Sequence, residues 1–280
     1  MNVLITGSEG FLASYLRTEL EIIGWKWFGY DIKYSDQNPN CLYDICDPNR
    51  VRLQAEGCDI IFNLAGEIRV PPSFEDPMRY WRNNTLGAAT VFSVARKLNI
   101  PVVHASTSAA SFPESSPYAA SKKAAEMAAV IENNLGADIR VARIFNVYGP
   151  GQPDDFVIPL FINSKEIILH NNGIVKKDYI HVRDVVRGLI AVAKDSRDFF
   201  KLGSGKLTSA AEIAELCNTY RKDKPTISSV ENIQRLKDHQ GEIATRELYP
   251  HRWEPQISIE DGILELVRGY ERKRSTVYTV

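Results

Sequence analysis

A short apolar run, Val3-Leu4-Ile5, leads directly into Thr6-Gly7-Ser8-Glu9-Gly10-Phe11-Leu12-Ala13, and a helical pattern follows. This junction constrains the fold more than any other stretch. The apolar run is too short for a helix and reads as a buried strand. Phe11, Leu12, Tyr15, Leu16 and Leu20 then share one face of a helix expected over roughly 10–23. Gly7, Gly10 and Ala13 recur at spacing three, so the chain can turn tightly and the strand and helix can pack closely. A strand that feeds a helix this way sets up a crossover to a second, parallel strand.

The first half repeats that rhythm. Strands are expected over 27–30, 59–64, 102–105 and 139–143, with helices over about 77–98 and 118–135 and a Pro-, Ser- and Glu-rich loop after Leu64. Strand-helix alternation of this kind predicts an α/β fold: a Rossmann-like, doubly wound parallel sheet with helices on both faces and right-handed crossovers. After Asn146 the pattern loosens around Pro150, Pro153 and Pro159, and helical patterns return over 182–194 and 209–220, with one more strand over 199–203. The expected division is a dinucleotide-binding domain over 1–146 plus about 176–206, and a smaller interleaved substrate lobe over about 147–175 plus 207–280. The basic run near the C-terminus reads as a frayed tail.

The chain has 280 residues, 44% of them hydrophobic, with a formal net charge of -1. That length allows a full core. Near-neutral charge gives no electrostatic case for nucleic acid or an acidic membrane as partner. Cys41, Cys46, Cys58 and Cys217 lack paired C-x-x-C spacing and the five histidines form no cluster, so reduced thiols and no metal site are expected. No apolar stretch is long enough to span a bilayer, which predicts a soluble, cytoplasmic protein.

At the Gly7–Gly10 turn the backbone can approach a pyrophosphate closely, at the partly positive start of a helix. The next strand ends in Asp31, whose carboxylate can accept both ribose hydroxyls and would repel a 2′-phosphate; NAD is therefore expected over NADP, although Lys33 nearby softens the discrimination. Asp44, in Tyr43-Asp44-Ile45-Cys46-Asp47 at the end of an expected third strand, is a candidate for the adenine end. Tyr118 and Lys122 stand one helical turn apart and share a face. An ammonium close to a phenol favours the phenolate, and a tyrosine so tuned can exchange a proton with a sugar hydroxyl near neutral pH.

Together these residues resemble the extended short-chain dehydrogenase/reductase family, the NAD-dependent nucleotide-sugar epimerases and dehydratases, over nearly the whole chain. The segment containing Leu64, Ala65 and Gly66 is similar to the one that passes beneath the family's cofactor. Asn84 in N-x-x-G matches its structural asparagine. Ser106-Thr107-Ser108 falls where the family carries its catalytic hydroxyl; strand register favours Ser108, with Ser106 and Thr107 as rivals. Tyr118 and Lys122 match the catalytic pair. Asn146, in Arg143-Ile144-Phe145-Asn146, matches a substrate contact, and Lys177 stands where the family has an arginine. The resemblance further implies cofactor contacts at Gly7, Glu9, Gly10, Phe11, Leu12, Asp31, Asp44, Ile45, Ala105, Ser106 and Phe145. His104 and His181 read as core histidines, and Asn146 equally suits a turn.

Three departures bear on the reaction. Only ten positions separate Ser108 from Tyr118, where the family carries a longer loop. The Asp-Glu pair of the sugar dehydratases is absent; with Ser108 as the catalytic hydroxyl, Ala109 and Ala110 fill those places. Lys177 offers a point charge in place of a bidentate guanidinium. The resemblance therefore implies an isomerase, an epimerase acting at carbon 4 through a transient keto sugar, with a dehydratase or keto-sugar reductase as alternative and a non-catalytic dinucleotide-binding sensor or scaffold below these. It also implies a homodimer, because small-residue faces on the two long helices suit the family's four-helix pairing.

Overall fold

A computed structural model describes residues 1–33, 43–231 and 241–277, with side chains to residue 272. Contacts divide the chain into two compact units: Met1–Ile144, Val186–Leu202 and Glu247–Trp253 form the first, and Phe145–Val185, Gly203–Arg246 and Glu254–Val280 the second.

In the first unit six strands form one sheet, in the order Lys26–Tyr30, Asn2–Thr6, Ile60–Asn63, Val102–Thr107, Ile139–Ile144 and Phe199–Leu202. All neighbouring pairs are parallel. The chain winds to one side of the Asn2–Thr6 strand and then to the other, so the winding reverses between the carboxyl ends of Asn2–Thr6 and Ile60–Asn63. Such a reversal opens the crevice where α/β sheets take their ligands.

The strands read as continuous apolar runs because both sheet faces are covered. Leu4, Ile61, Val102 and Val141 pack with Val91, Phe92 and Ala95 of the Gly87–Leu98 helix and with Ala125 and Ala129 of the Pro117–Asn134 helix. The alternating residues Val3, Ile5, Ile60, Phe62 and Val103 point to the opposite face and are fully buried too. The Phe11–Ile22 helix buries Ala13, Leu16 and Leu20.

Several local expectations change. Residues 34–42 lie outside the described residues, and 43–47, expected at the end of a third strand, form no strand. The loop after Leu64 contains a short helix, Val70–Glu75, started by prolines that preset its first turn. The expected 77–98 helix is interrupted: between Pro77–Tyr80 and Gly87–Leu98 the chain widens into a π-helical turn, Trp81–Leu86.

In the second unit Lys176–His181 pairs parallel with Asn146–Tyr148 and antiparallel with Leu207–Ser209. A separate parallel pair joins Thr226–Val230 to Glu166–His170. Its core gathers Tyr148, Ile158, Phe161, Ile167, Ile213 and Ile263. The strand Lys176–His181, expected in the dinucleotide-binding domain, thus belongs here. Glu247–Trp253 joins the first unit instead, where Arg197 donates to the carbonyls of Glu247 and Tyr249 at 3.1 and 2.6 Å. The C-terminal basic run continues the Ile259–Val277 helix through residue 277 and is not a frayed tail there.

Candidate active site

At the end of the first strand the Gly7 amide donates to the Tyr30 carbonyl at 2.8 Å. Its φ is +70°, and a Cβ there would stand 2.7 Å from the Ala65 nitrogen, so only glycine fits. Gly10 is extended and starts the helix with no side-chain cap. The first-turn amides, at Phe11 and Leu12, are thus left to an anion, as a pyrophosphate site requires. The Glu9 carboxylate turns aside to Arg17 at 3.2 Å. The Glu9 amide donates to Asp31 Oδ2 at 3.0 Å and the Lys33 amide to Oδ1 at 2.9 Å. Each Asp31 oxygen keeps a further lone pair for a ribose hydroxyl. These features fit the pyrophosphate and adenosine ribose of a dinucleotide. Asp44 accepts from the Cys46 amide at 2.9 Å and pairs with Arg82. Ile45 is buried, and a Cβ on Gly87 would meet its Cγ2 at 2.5 Å, so close helix approach is what that glycine provides.

The Leu64–Gly66 segment is tied down by a buried polar chain. The Ala65 amide donates to Thr6 Oγ1 at 3.3 Å, and Thr6 Oγ1 donates to Asn63 Oδ1 at 2.6 Å. Asn63 Nδ2 lies 3.1 Å from His104 Nδ1. Burial, and then the charge of Lys122, hold His104 well below the usual imidazole range, so it is neutral and Nδ1 accepts. His104 is thus a core histidine. Asn84, brought inward by the π-helical turn, accepts from the Glu67 amide at 2.8 Å and donates to the Glu67 carbonyl at 3.1 Å and Ser121 Oγ at 3.0 Å. A Cβ on Gly66 would meet Asn84 Oδ1 at 2.6 Å and stand 3.4 Å from Lys122 Nζ. Gly66, Asn84 and Lys122 therefore meet at one place.

The helix Pro117–Asn134 starts on Ser116, whose Oγ accepts from the Ala119 amide at 3.1 Å, with proline at its first position. Tyr118 is only 8% exposed and Lys122 5%. Lys122 Nζ donates to the Ala105 carbonyl at 2.9 Å, and burial lowers its amine to about 8. The expected lowering of Tyr118 by this ammonium is not seen. Burial raises the Tyr118 phenol more than a hydrogen bond with the Thr107 side chain lowers it, and Tyr80, edge-on at 6.3 Å between ring centroids, adds to the rise.

The hydroxyl that reaches Tyr118 is thus that of Thr107, where register had favoured Ser108. Pairing with Ile139–Ile144 carries the strand to Thr107, two residues further than expected, and Ser108 opens the 3₁₀ turn Ser108–Ser111. Ser106 donates instead to Glu126 Oε1 at 2.7 Å. The two residues after the candidate hydroxyl become Ser108 and Ala109, and still neither is acidic. Glu126 itself escaped the sequence reading, although its spacing of four from Lys122 marks the same helix face; it is buried and grips Arg143 through two bonds of 2.7 Å.

Phe145, Asn146 and Lys177 lie in the second unit. Phe145 is buried, and Asn146 opens the Asn146–Tyr148 strand, not a turn, with its Nδ2 donating to the Asp178 carbonyl at 3.0 Å. The Asp178 carboxylate, not singled out from sequence, gathers the Ser204 amide and hydroxyl at 2.7 Å each, the Gly205 amide at 3.0 Å and the Ala244 amide at 3.1 Å. Lys177 runs beside Gly241, where a Cβ would meet its Cδ at 2.9 Å.

Two outcomes are expected from this geometry. Gly7→Ala forces a left-handed backbone on alanine against the Ala65 nitrogen, so NAD affinity by equilibrium dialysis should fall at least about tenfold with far-UV circular dichroism unchanged. Thr107→Ala should lower turnover about 100-fold, while Ser108→Ala should stay within about threefold; the reverse order in steady-state assays would restore Ser108.

The NAD dependent epimerase/dehydratase family model matches residues 3–203. A dTDP-glucose 4,6-dehydratase of Streptomyces griseus is 27% identical over 315 aligned positions, covering 98% of this chain and 95% of that protein. A UDP-glucuronate 4-epimerase of Thermodesulfobacterium geofontis is 29% identical over 74% of this chain and 71% of its own length. In fold, the crystal structure of UDP-glucose 4-epimerase from Thermotoga maritima with UDP-glucose superimposes with a TM-score of 0.85 at 24% identity, over 98% of this chain and all of that one. The chain belongs to the NAD dependent epimerase/dehydratase family, enzymes that use NAD to epimerise or dehydrate nucleotide sugars.

Proposed function

We propose that this chain is a nucleotide-sugar 4-epimerase. The supporting observation is the composition of the site around Tyr118: a phenol, the Thr107 hydroxyl and the Lys122 amine, followed along the chain by Ser108 and Ala109. Eliminating water from a sugar needs a second acid to protonate the departing hydroxyl. The nearby carboxylates are already engaged: Glu126 with Arg143, and Glu67 with Arg79 at 2.8 Å and Asn83 at 3.1 Å. Epimerisation needs only one group to take a proton from the sugar hydroxyl and return it.

In this reading Tyr118 carries that proton, Thr107 hydrogen-bonds the same substrate oxygen, and Lys122 holds the nicotinamide ribose. Gly7, Gly10, Phe11, Leu12 and Asp31 hold the rest of the dinucleotide. Bound NAD supplies the hydride acceptor at the carbon whose hydroxyl Tyr118 deprotonates. The Asp31 carboxylate disfavours a 2′-phosphate, which argues against an NADPH-consuming reductase. Dehydration is the second reading, favoured by the dehydratase relative that aligns along 98% of the chain.

No helix among the described residues is long and apolar enough to cross a membrane. A homodimer belongs to the same proposal. Leu86, Met127, Val130 and Ile131 are more than half exposed along the Trp81–Leu98 stretch and the Tyr118 helix, an apolar cost that pairing with a second copy would remove. Sedimentation equilibrium should give twice the chain mass, and Val130→Asp with Ile131→Asp should give the monomer.

Incubation with UDP-, dTDP-, GDP- and CDP-hexoses decides the reaction. A product of unchanged mass with inverted carbon 4, seen by NMR, is expected; a product lighter by one water would establish dehydration instead. Tyr118→Phe should lower turnover at least about 100-fold while the purified protein retains its NAD.

A further inference from the structure

Tyr118 and Lys122 share their helical stripe with Glu126, which is 4% exposed. Glu126 Oε1 accepts from Ser106 Oγ and from Arg143 Nε, and Oε2 from Arg143 Nη2, each at 2.7 Å. Lys123 Nζ adds a contact at 3.3 Å. Arg143 Nη1 reaches on to Ser111 Oγ at 2.6 Å. Ser106 immediately precedes Thr107, and Ser111 ends the turn that follows it. The ion pair thus grips the chain on both sides of the hydroxyl that meets Tyr118, and joins both grips to the helix that carries Tyr118. Buried ion pairs lose much hydration, and apolar residues of similar volume fill such space at least as stably. Packing alone does not call for charges here.

We propose that Glu126 is a positioning residue: with Arg143 it locks the Thr107 turn to the Tyr118–Lys122 helix, with its carboxylate one helical turn along from Lys122. The inference rests on the reading of Tyr118 and Lys122 as the catalytic pair. Among the described residues the ionisable groups around Lys122 are few. The Val102–Thr107 strand presents His104, which is neutral; the Lys122 helix itself presents Tyr118, Lys123 and Glu126; the Ile139–Ile144 strand presents Arg143, already paired with Glu126; and the segments before that helix present Glu67, paired with Arg79, and Tyr80. Burial drives the Lys122 amine down, and Glu126 is the charge that opposes the drop. Removing that charge disfavours the ammonium, so the amine should lose its proton at lower pH, and the basic limb of activity should move down with it.

Lysine 13Cε NMR reads this directly, without substrate. The wild-type spectrum should contain one resonance titrating near pH 8 that is missing in Lys122→Met. In Glu126→Gln its midpoint should fall by at least about one pH unit. The double variant Glu126→Gln, Arg143→Met leaves no unpaired buried guanidinium; it removes one charge of each sign, and since Glu126 is the one that acts on the Lys122 amine, its midpoint should still fall, by less than in the single variant. Ser111→Ala keeps both charges; the midpoint should stay put while kcat falls about tenfold with KM within about twofold. A midpoint unmoved in the double variant, or a Ser111→Ala enzyme with unchanged kcat, overturns the proposal. The NMR result stands whichever nucleotide sugar is turned over, so a wrong substrate reading and a wrong role for Glu126 fail in different experiments.

Discussion

The site depends on one close backbone approach: the turn at Gly7 lies against Leu64 and Ala65 with no room for a side chain between them. Adjacent parallel strands end side by side here, and the chain leaving each must clear the other. The buried chain from Ala65 through Thr6 and Asn63 to His104 holds the second of these exits in place. Because Gly66 then sits against Asn84 and Lys122, the same contact sets where the Tyr118 helix can lie relative to the phosphate turn. Sheet register and the placement of Tyr118 and Lys122 are one constraint.

Burial gives that arrangement its chemistry. Lys122 is taken out of water with only a carbonyl to bond and a carboxylate four residues along its helix, which leaves its amine able to lose a proton near pH 8. Tyr118 moves the other way, because a buried phenolate is as poorly solvated as a buried ammonium and the lysine is turned toward Ala105. The pair is thus held apart in charge by its surroundings, with the Thr107 hydrogen bond opposing the rise at Tyr118.

Much of this was legible in the residues. Glycines at spacing three between an apolar strand and an amphipathic helix can do little else, Asp31 follows from where the next strand stops, and Tyr118 and Lys122 follow from helical period. The differences have local causes. Thr107, not Ser108, meets the phenol because the end of a strand depends on its partner: Ile144 pairs with Thr107 and extends the strand. The π-helical turn that brings Asn84 inward has no signature in Trp81-Arg82-Asn83-Asn84 that period counting detects. The strand Lys176–His181 changed unit because pairing with Asn146–Tyr148, far off in sequence, decides its membership.

Local order alone settled the strand-helix alternation, the Gly7–Gly10 turn and the spacing of the Tyr-Lys pair, since each depends on residues within a turn or a strand of one another. Tertiary structure decided which hydroxyl meets the phenol, which way each buried group's proton affinity moves, and that Glu126 and Arg143 join the site. Those depend on desolvation and on contacts between residues of different elements, and neither quantity exists until the chain has folded.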